Sequence, residues 1–312
     1  MLSYSFRRLT HGILVLLAAV AMMFWFVYVV PGDPASVILG PRANPAQREE
    51  IRAQMGLDKP IPLQFAAFVG RLMHGDLGSD VVTHSPIAAL IGRALPNTLV
   101  LTFAGIGWAV LIAVPLGCWC AFHPNEWGDR IVGFFSMATI ALPSSIMGIY
   151  ALLLFSITLH WLPAIGAGQG FGDSLRHLVM PALTLGLGWI GYLTRAVRAS
   201  MLEVSQEAHV RTFRAFGVSE SRLALRYLLQ MALTPIVSLL AIGMGSLLSS
   251  AVIIEIIFLR PGVGRLAYEA VLERNFPVVL AAVLVSAVFY LLCNFVAEFI
   301  IAGLDPRVRN VH

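Results

Sequence analysis

Charge is scarce in this chain. Of its 312 residues only 12% are Asp, Glu, Lys or Arg, about half the share of a soluble globular protein. Hydrophobic residues make up 58%, and the mean hydropathy is +0.81. A soluble enzyme domain and a disordered chain are both excluded by that balance. Cysteine is scarce too: only Cys118, Cys120 and Cys293 occur, all inside apolar stretches. That excludes a disulfide-stapled secreted scaffold. Cys118 and Cys120 stand two apart on one expected helix and point different ways, so they are small buried hydrophobes rather than a bridge. Lysine is almost missing. The single Lys59 follows Asp58, so the Gly-Lys of a P-loop is absent and this chain cannot cradle ATP in that way. There is no His-Glu-x-x-His and no Gly-x-Ser-x-Gly, so two common hydrolase constellations are missing. The eight histidines never fall four apart. His160 and His177 flank one loop and read as surface residues, not metal ligands.

What is present is long apolar sequence. Six stretches approach or exceed the roughly 20 residues that cross a bilayer: about His11–Val30, Thr98–Phe122, Ile131–Leu159, Leu178–Leu193, Met231–Phe258 and Pro277–Gly303. The fourth is the weakest, being short and carrying Gly186, Gly188 and Gly191. The chain therefore reads as an all-α polytopic membrane protein of six spans, with the lipid bilayer as its solvent. The net charge of +4 reflects topology rather than nucleic-acid binding. With the N-terminus inside, the inner segments carry eleven basic residues against six acidic ones, and the outer segments ten of each. The reverse orientation would put the Arg195–Arg226 cluster outside, against the positive-inside rule. Both ends are thus expected in the cytoplasm. The first run follows Arg7 and Arg8 but is longer than a signal-peptide core and ends in Val-Pro-Gly-Asp-Pro, so it is expected to be a retained helix.

Four regions follow from this layout: residues 1–31 with the first helix, an outer region 32–97, a five-helix core 98–303, and a cytoplasmic tail 304–312. Residues Asn44–Met55 have a polar helical pattern broken by Pro60 and Pro62, as in a small folded cap. The inner loop 195–230 is the most charged part of the chain. It alternates basic and apolar residues at helical spacing (Val210, Phe213, Phe216, Leu223), which suits short helices outside the bilayer that rest on its surface or fill a partner's groove.

Polar residues inside spans are costly and therefore informative. Ser286, Tyr290, Asn294 and Glu298 follow at steps of four and form one stripe. Glu298 lies roughly 7–8 Å from the inner end of its span. Glu255 sits near the outer end of the fifth span, which also carries Ser246, Ser249 and Ser250. These residues either glue helices together or face a substrate path, and the sequence leaves both readings open.

In order and spacing, the short motifs resemble the permease subunits of bacterial dipeptide, oligopeptide and nickel ABC importers over essentially the whole chain. They are Pro31-Gly32-Asp33-Pro34, Gly56-Leu57-Asp58-Lys59-Pro60, Gly75-Asp76-Leu77-Gly78, Leu95-Pro96-Asn97-Thr98, Trp161-Leu162-Pro163, Pro181-Ala182-Leu183-Thr184-Leu185, Glu255-Ile256-Ile257-Phe258, Pro261-Gly262-Val263-Gly264, Arg274-Asn275-Phe276-Pro277 and Asp305-Pro306-Arg307. The resemblance implies a type I importer permease fold, MetI-like, with a periplasmic insertion after the first helix. It implies that Arg211, Thr212, Phe213, Arg214, Ala215, Phe216 and Gly217 form a coupling helix docked on an ATP-binding subunit. Two phenylalanines stand there in place of the family's usual Ala and Lys. The implied partners are a second permease, two ATP-binding subunits and a periplasmic substrate-binding protein. ATP and magnesium would sit on those partners, this chain binding no cofactor and catalysing nothing. The implied cargo is di- or oligopeptide, with nickel chelates, glutathione or opines as alternatives. A stand-alone secondary transporter fits less well, because no charged relay lies near the midplane.

Overall fold

The computed structural model describes residues 2–29, 44, 60–223 and 227–304. The expected cap helix over Asn44–Met55 and the Asp305-Pro306-Arg307 motif lie outside the described residues, apart from Asn44 itself. Helices make up nearly all the described secondary structure: α1 (Leu2–Val29), α2 (Ile61–Met73), α3 (Ile87–Phe122), α4 (Trp127–Ala141), α5 (Ser144–Ala151) with a π-helical continuation (Leu152–Thr158), α6 (Phe171–Ser205), α7 (Ala208–Ala215), α8 (Glu220–Leu223), α9 (Leu229–Ile257), α10 (Val263–Leu272) and α11 (Phe276–Leu304). The chain divides into two compact units, Met1–Asn97 with Pro261–Phe289, and Thr98–Arg260 with Tyr290–His312.

In the first unit α1 meets α2 through Phe24, whose ring centroid lies 5.5 Å from Phe65 and 6.1 Å from Phe68. Pro62 falls in the first turn of α2, where its missing N–H costs nothing. A core of Ile87, Ile91, Ala270, Val278 and Ala281 joins the start of α3 to α10 and α11.

In the second unit α3 and α6 run side by side. Gly105 approaches Leu185 and Gly186, and further along Gly117 lies against Thr194 and Val197. A Cβ on Gly117 would come within 2.8 Å of the Thr194 carbonyl, and one on Gly186 would overlap the Gly105 carbonyl outright. Of the glycines that weaken the fourth stretch as an apolar run, Gly186 is thus what lets α6 meet α3, while Gly191 lets it meet Ser136 and Thr139 of α4. Leu193 seals the contact against Ala109 and Ala113. Leu101, Leu185, Leu247, Ile254 and Phe258 form a second core joining α3, α6 and α9.

Among the described residues four helices are long and apolar enough to cross a membrane, namely α3, α6, the Ile236–Ile257 part of α9 and most of α11. The expected third span is not one rod. It is α4 and α5 with its π-helical extension, bent by 100° between them. The cause is Pro143, which drives Leu142 out of the helical region to φ −90°, ψ 123°. In α1 the described residues Gly12–Trp25 form an apolar helix within the expected first run. The second and fourth spans begin earlier than their apolar runs, at Ile87 and Phe171, and α6 continues to Ser205.

Candidate functional site

The charged loop after α6 carries two short helices, α7 and α8, packed within the second unit. Glu207, extended at φ −66°, ψ 150°, starts α7, and its carboxylate lies 3.1 Å from Nδ1 of His209. Val210 is fully buried and Phe213 packs beside it, in a cluster with Val197, Met201, Leu223, Leu228 and Ile236. The Phe213 ring stacks on Tyr227 with centroids 4.6 Å apart. Gly217 ends the helix at φ +76°. Its N–H bonds the Arg214 carbonyl at 3.0 Å and that of Val218 bonds the Phe213 carbonyl at 3.2 Å. This is a Schellman close, with Val218 packed on the same cluster as Phe213. Arg214 grips Glu220 with two bonds, 2.9 and 3.3 Å.

Of the seven residues expected to couple to a partner, Arg211, Thr212, Ala215 and Phe216 are exposed and share one helical face. Phe216 is 81% exposed. Phe213 points the other way and anchors the helix. Arg214 and Gly217 hold its shape. The loop therefore separates a self-anchoring face from a free face, a division the sequence did not reveal.

The helix leading into α7 is itself pinned. Arg198 near the C-terminal end of α6 donates two bonds of 2.6 Å to Asp129 at the start of α4. Asp129 also accepts from the Asn125 N–H at 2.9 Å. Asp129 carried no signal in the sequence beyond its charge. Its only hint is that it is an acid in the first turn of a helix.

The residues offered as path or helix interface divide in the same way. Gly243 and Gly245 on α9 receive the rings of Trp189 and Tyr290, so part of the small-residue face is packed. Ser246 and Ser249 are exposed on a second line with Ile242 and Ile253, and Ser250 is half-buried. Ser249 donates to the Gly245 carbonyl at 3.2 Å. On α11, Ser286 donates to the Ala282 carbonyl at 2.8 Å. Asn294 donates to the Tyr290 carbonyl at 2.9 Å. Both amide and hydroxyl thus turn back on their own helix. Glu298 is half-buried.

Glu255 is 1% exposed and accepts the Thr98 hydroxyl at 2.6 Å. Leu259, left-handed at φ +48°, turns the end of α9 so that the Arg260 N–H reaches the Glu255 carbonyl at 2.9 Å. The Arg260 guanidinium is buried, donates from Nη1 to the His177 carbonyl at 3.2 Å, and has no partner at Nε. Burial lowers its pKa while the Glu255 charge opposes the shift. An arginine so placed remains charged.

In the first unit Asp80 accepts from the Val82 N–H at 2.9 Å, from the Thr83 hydroxyl and from the Asn275 amide. Burial would raise its pKa, but these bonds outweigh burial and hold the carboxyl below the usual range. Among the described residues no group of three His, Cys, Asp or Glu side chains is placed to hold a metal ion. His177 instead faces Asp173 at 3.3 Å.

Residues 113–310 match the model of the binding-protein-dependent transport system inner membrane component, and residues 1–102 match the N-terminal model of the same membrane components. The chain is 36% identical to the glutathione transport system permease protein GsiC of Pectobacterium atrosepticum over 309 residues, 99% of each chain. It is 35% identical to GsiC of Salmonella typhimurium over the same span. Among solved structures it resembles an inward-facing methionine ABC transporter, MetNI, with a TM-score of 0.56 at 18% identity, covering 69% of this chain and 96% of that one.

Proposed function

Because this chain belongs to the inner-membrane components of binding-protein-dependent transport systems, a permease family without catalytic activity of its own, we propose that its cargo is small peptides, glutathione among them. Relatives that match it end to end are glutathione permeases, and its motifs resemble those shared by peptide and nickel importers. We further propose the full assembly: a second permease, two ATP-binding subunits holding ATP and magnesium, and a periplasmic binding protein. Both termini are placed in the cytoplasm, with α7 facing the ATP-binding subunits.

One observation carries this reading. The loop of α7 is a pre-folded helix whose inner face is anchored by Val210 and Phe213 and whose outer face offers Arg211, Thr212, Ala215 and Phe216. A free face on a fixed helix is what a moving partner needs to push on. ATP binding drives transport only if the partner binds the two permease states with different affinity. The Asp129–Arg198 pair then carries that push from α7 along α6 into α4. The exposed line of Ser246 and Ser249 on α9 is proposed to face the path or the second permease.

The test is to purify the tagged chain from its native membrane in mild detergent and reconstitute what comes with it. Co-purification of a second permease and two P-loop chains, followed by ATP-dependent uptake of labelled glutathione or dipeptide, is the expected result. Recovery as a lone chain would overturn the assembly. An intact assembly that ignores both cargoes would overturn the substrate.

A further inference from the structure

We propose that α3 and α6 form a seat for one acyl chain of an anionic phospholipid, held by Arg176 at its headgroup. Beside the Gly105–Gly186 crossing the two helices border a shallow, open apolar recess of about 240 Å³, lined chiefly by Ala104, Gly107, Trp108, Leu111, Leu175 and Val179. Both helices are membrane spans, so whatever fills the recess lies at hydrocarbon depth. Its floor is open: a Cβ on Gly107 would meet nothing within 4 Å.

Charge identifies the occupant. Arg176 lies three residues before Val179, on the flank of the same helical face. It is exposed and makes no ion pair with any described residue. The nearby Asp173 is turned elsewhere, accepting the Gln169 N–H at 2.8 Å and facing His177. Phe171, 88% exposed, and Trp161, 70% exposed, mark this end of α6 as the membrane–water boundary. Arg176 is five residues further in, about 7–8 Å, within reach of the headgroup layer by extending its side chain. An unpaired guanidinium at that depth is costly. A lipid phosphate satisfies it while the attached chain fills the recess. A helix from another subunit would have to bring a carboxylate to the same place.

The experiment uses the intact transporter in nanodiscs of phosphatidylcholine with added phosphatidylglycerol. Retained lipid is read by native mass spectrometry. Gly107→Phe fills the recess and Arg176→Gln removes the charge; neither touches α7 or the α9 serines. The wild type is expected to hold one more lipid per copy of this chain than Gly107→Phe. Its preference for phosphatidylglycerol is expected to fall roughly fivefold in Arg176→Gln and to return in Arg176→Lys. Equal lipid retention in Gly107→Phe would overturn the seat. An unchanged preference in Arg176→Gln would overturn the headgroup assignment. Cross-linking of Leu111→Cys to the second permease would show that protein covers this face, and the proposal would fall.

Discussion

Asp80 shows how one carboxylate gathers groups that the sequence keeps far apart. Its partner Asn275 lies 195 residues away, while Val82 and Thr83 are neighbours. Because the folded pKa is depressed, its stabilising contribution is complete above the unfolded value of about 3.9 and is lost as pH falls through the lower folded value. Replacing Asp80 with Asn keeps the shape but turns a donor toward donors, at a cost of about 1–3 kcal/mol. The thermal midpoint of the variant should lie below that of the wild type at pH 7. The gap should narrow as the pH falls below about 3.9, and parallel curves on the two sides of that value would contradict the argument. At this scale the sequence is least informative. Glu255 announced itself as a charge in a span, but Thr98 as its donor did not. Arg198 stood in the most charged part of the chain, the loop 195–230, whereas Asp129 was one acid among seventeen.

At the scale of elements, hydropathy located the membrane helices well and their ends poorly. Transfer energy registers apolar length, and it cannot register a helix that continues into polar sequence, as α6 does from Leu193 to Ser205. The short, glycine-rich fourth stretch was the weakest candidate by composition, yet α6 is a 35-residue helix at the centre of the second unit's packing. The 100° break in the third stretch was written in Pro143, but an apolar count passes over a proline. Glycine is where element and packing meet. A Cβ on Gly186 would overlap the Gly105 carbonyl, whereas one on Gly188 would sit an ordinary 3.5 Å from the Thr139 carbonyl. Gly186→Ala should therefore force α3 and α6 apart and cost at least about 1–3 kcal/mol. Gly188→Ala should be neutral or gain a few tenths from helix propensity. Unfolding in detergent monitored by denaturant midpoint separates the two, and equal midpoints would contradict this crossing.

For the molecule as a whole, the two phenylalanines of α7 offer the sharpest division between holding the chain together and meeting its partner. Phe213→Ala removes a packed ring beside Val210 and should lower stability by about 1–3 kcal/mol. Phe216→Ala removes a ring that is 81% exposed and should leave stability unchanged. Stimulation of ATP hydrolysis by cargo should respond in the opposite sense. It should collapse in Phe216→Ala while the thermal midpoint stays put, and loss of stability without loss of stimulation in that variant would refute the partner-facing role. The Schellman close at Gly217 and the Arg214–Glu220 clasp have one more consequence, and it concerns biogenesis. With α7 and its close already folded, residues 208–218 present no extended peptide for proteases to cut while the chain waits in the membrane for its partners. They also give up little chain entropy when those partners arrive. Assembly should then depend on how often the subunits collide, rather than on how long a disordered segment takes to find its shape.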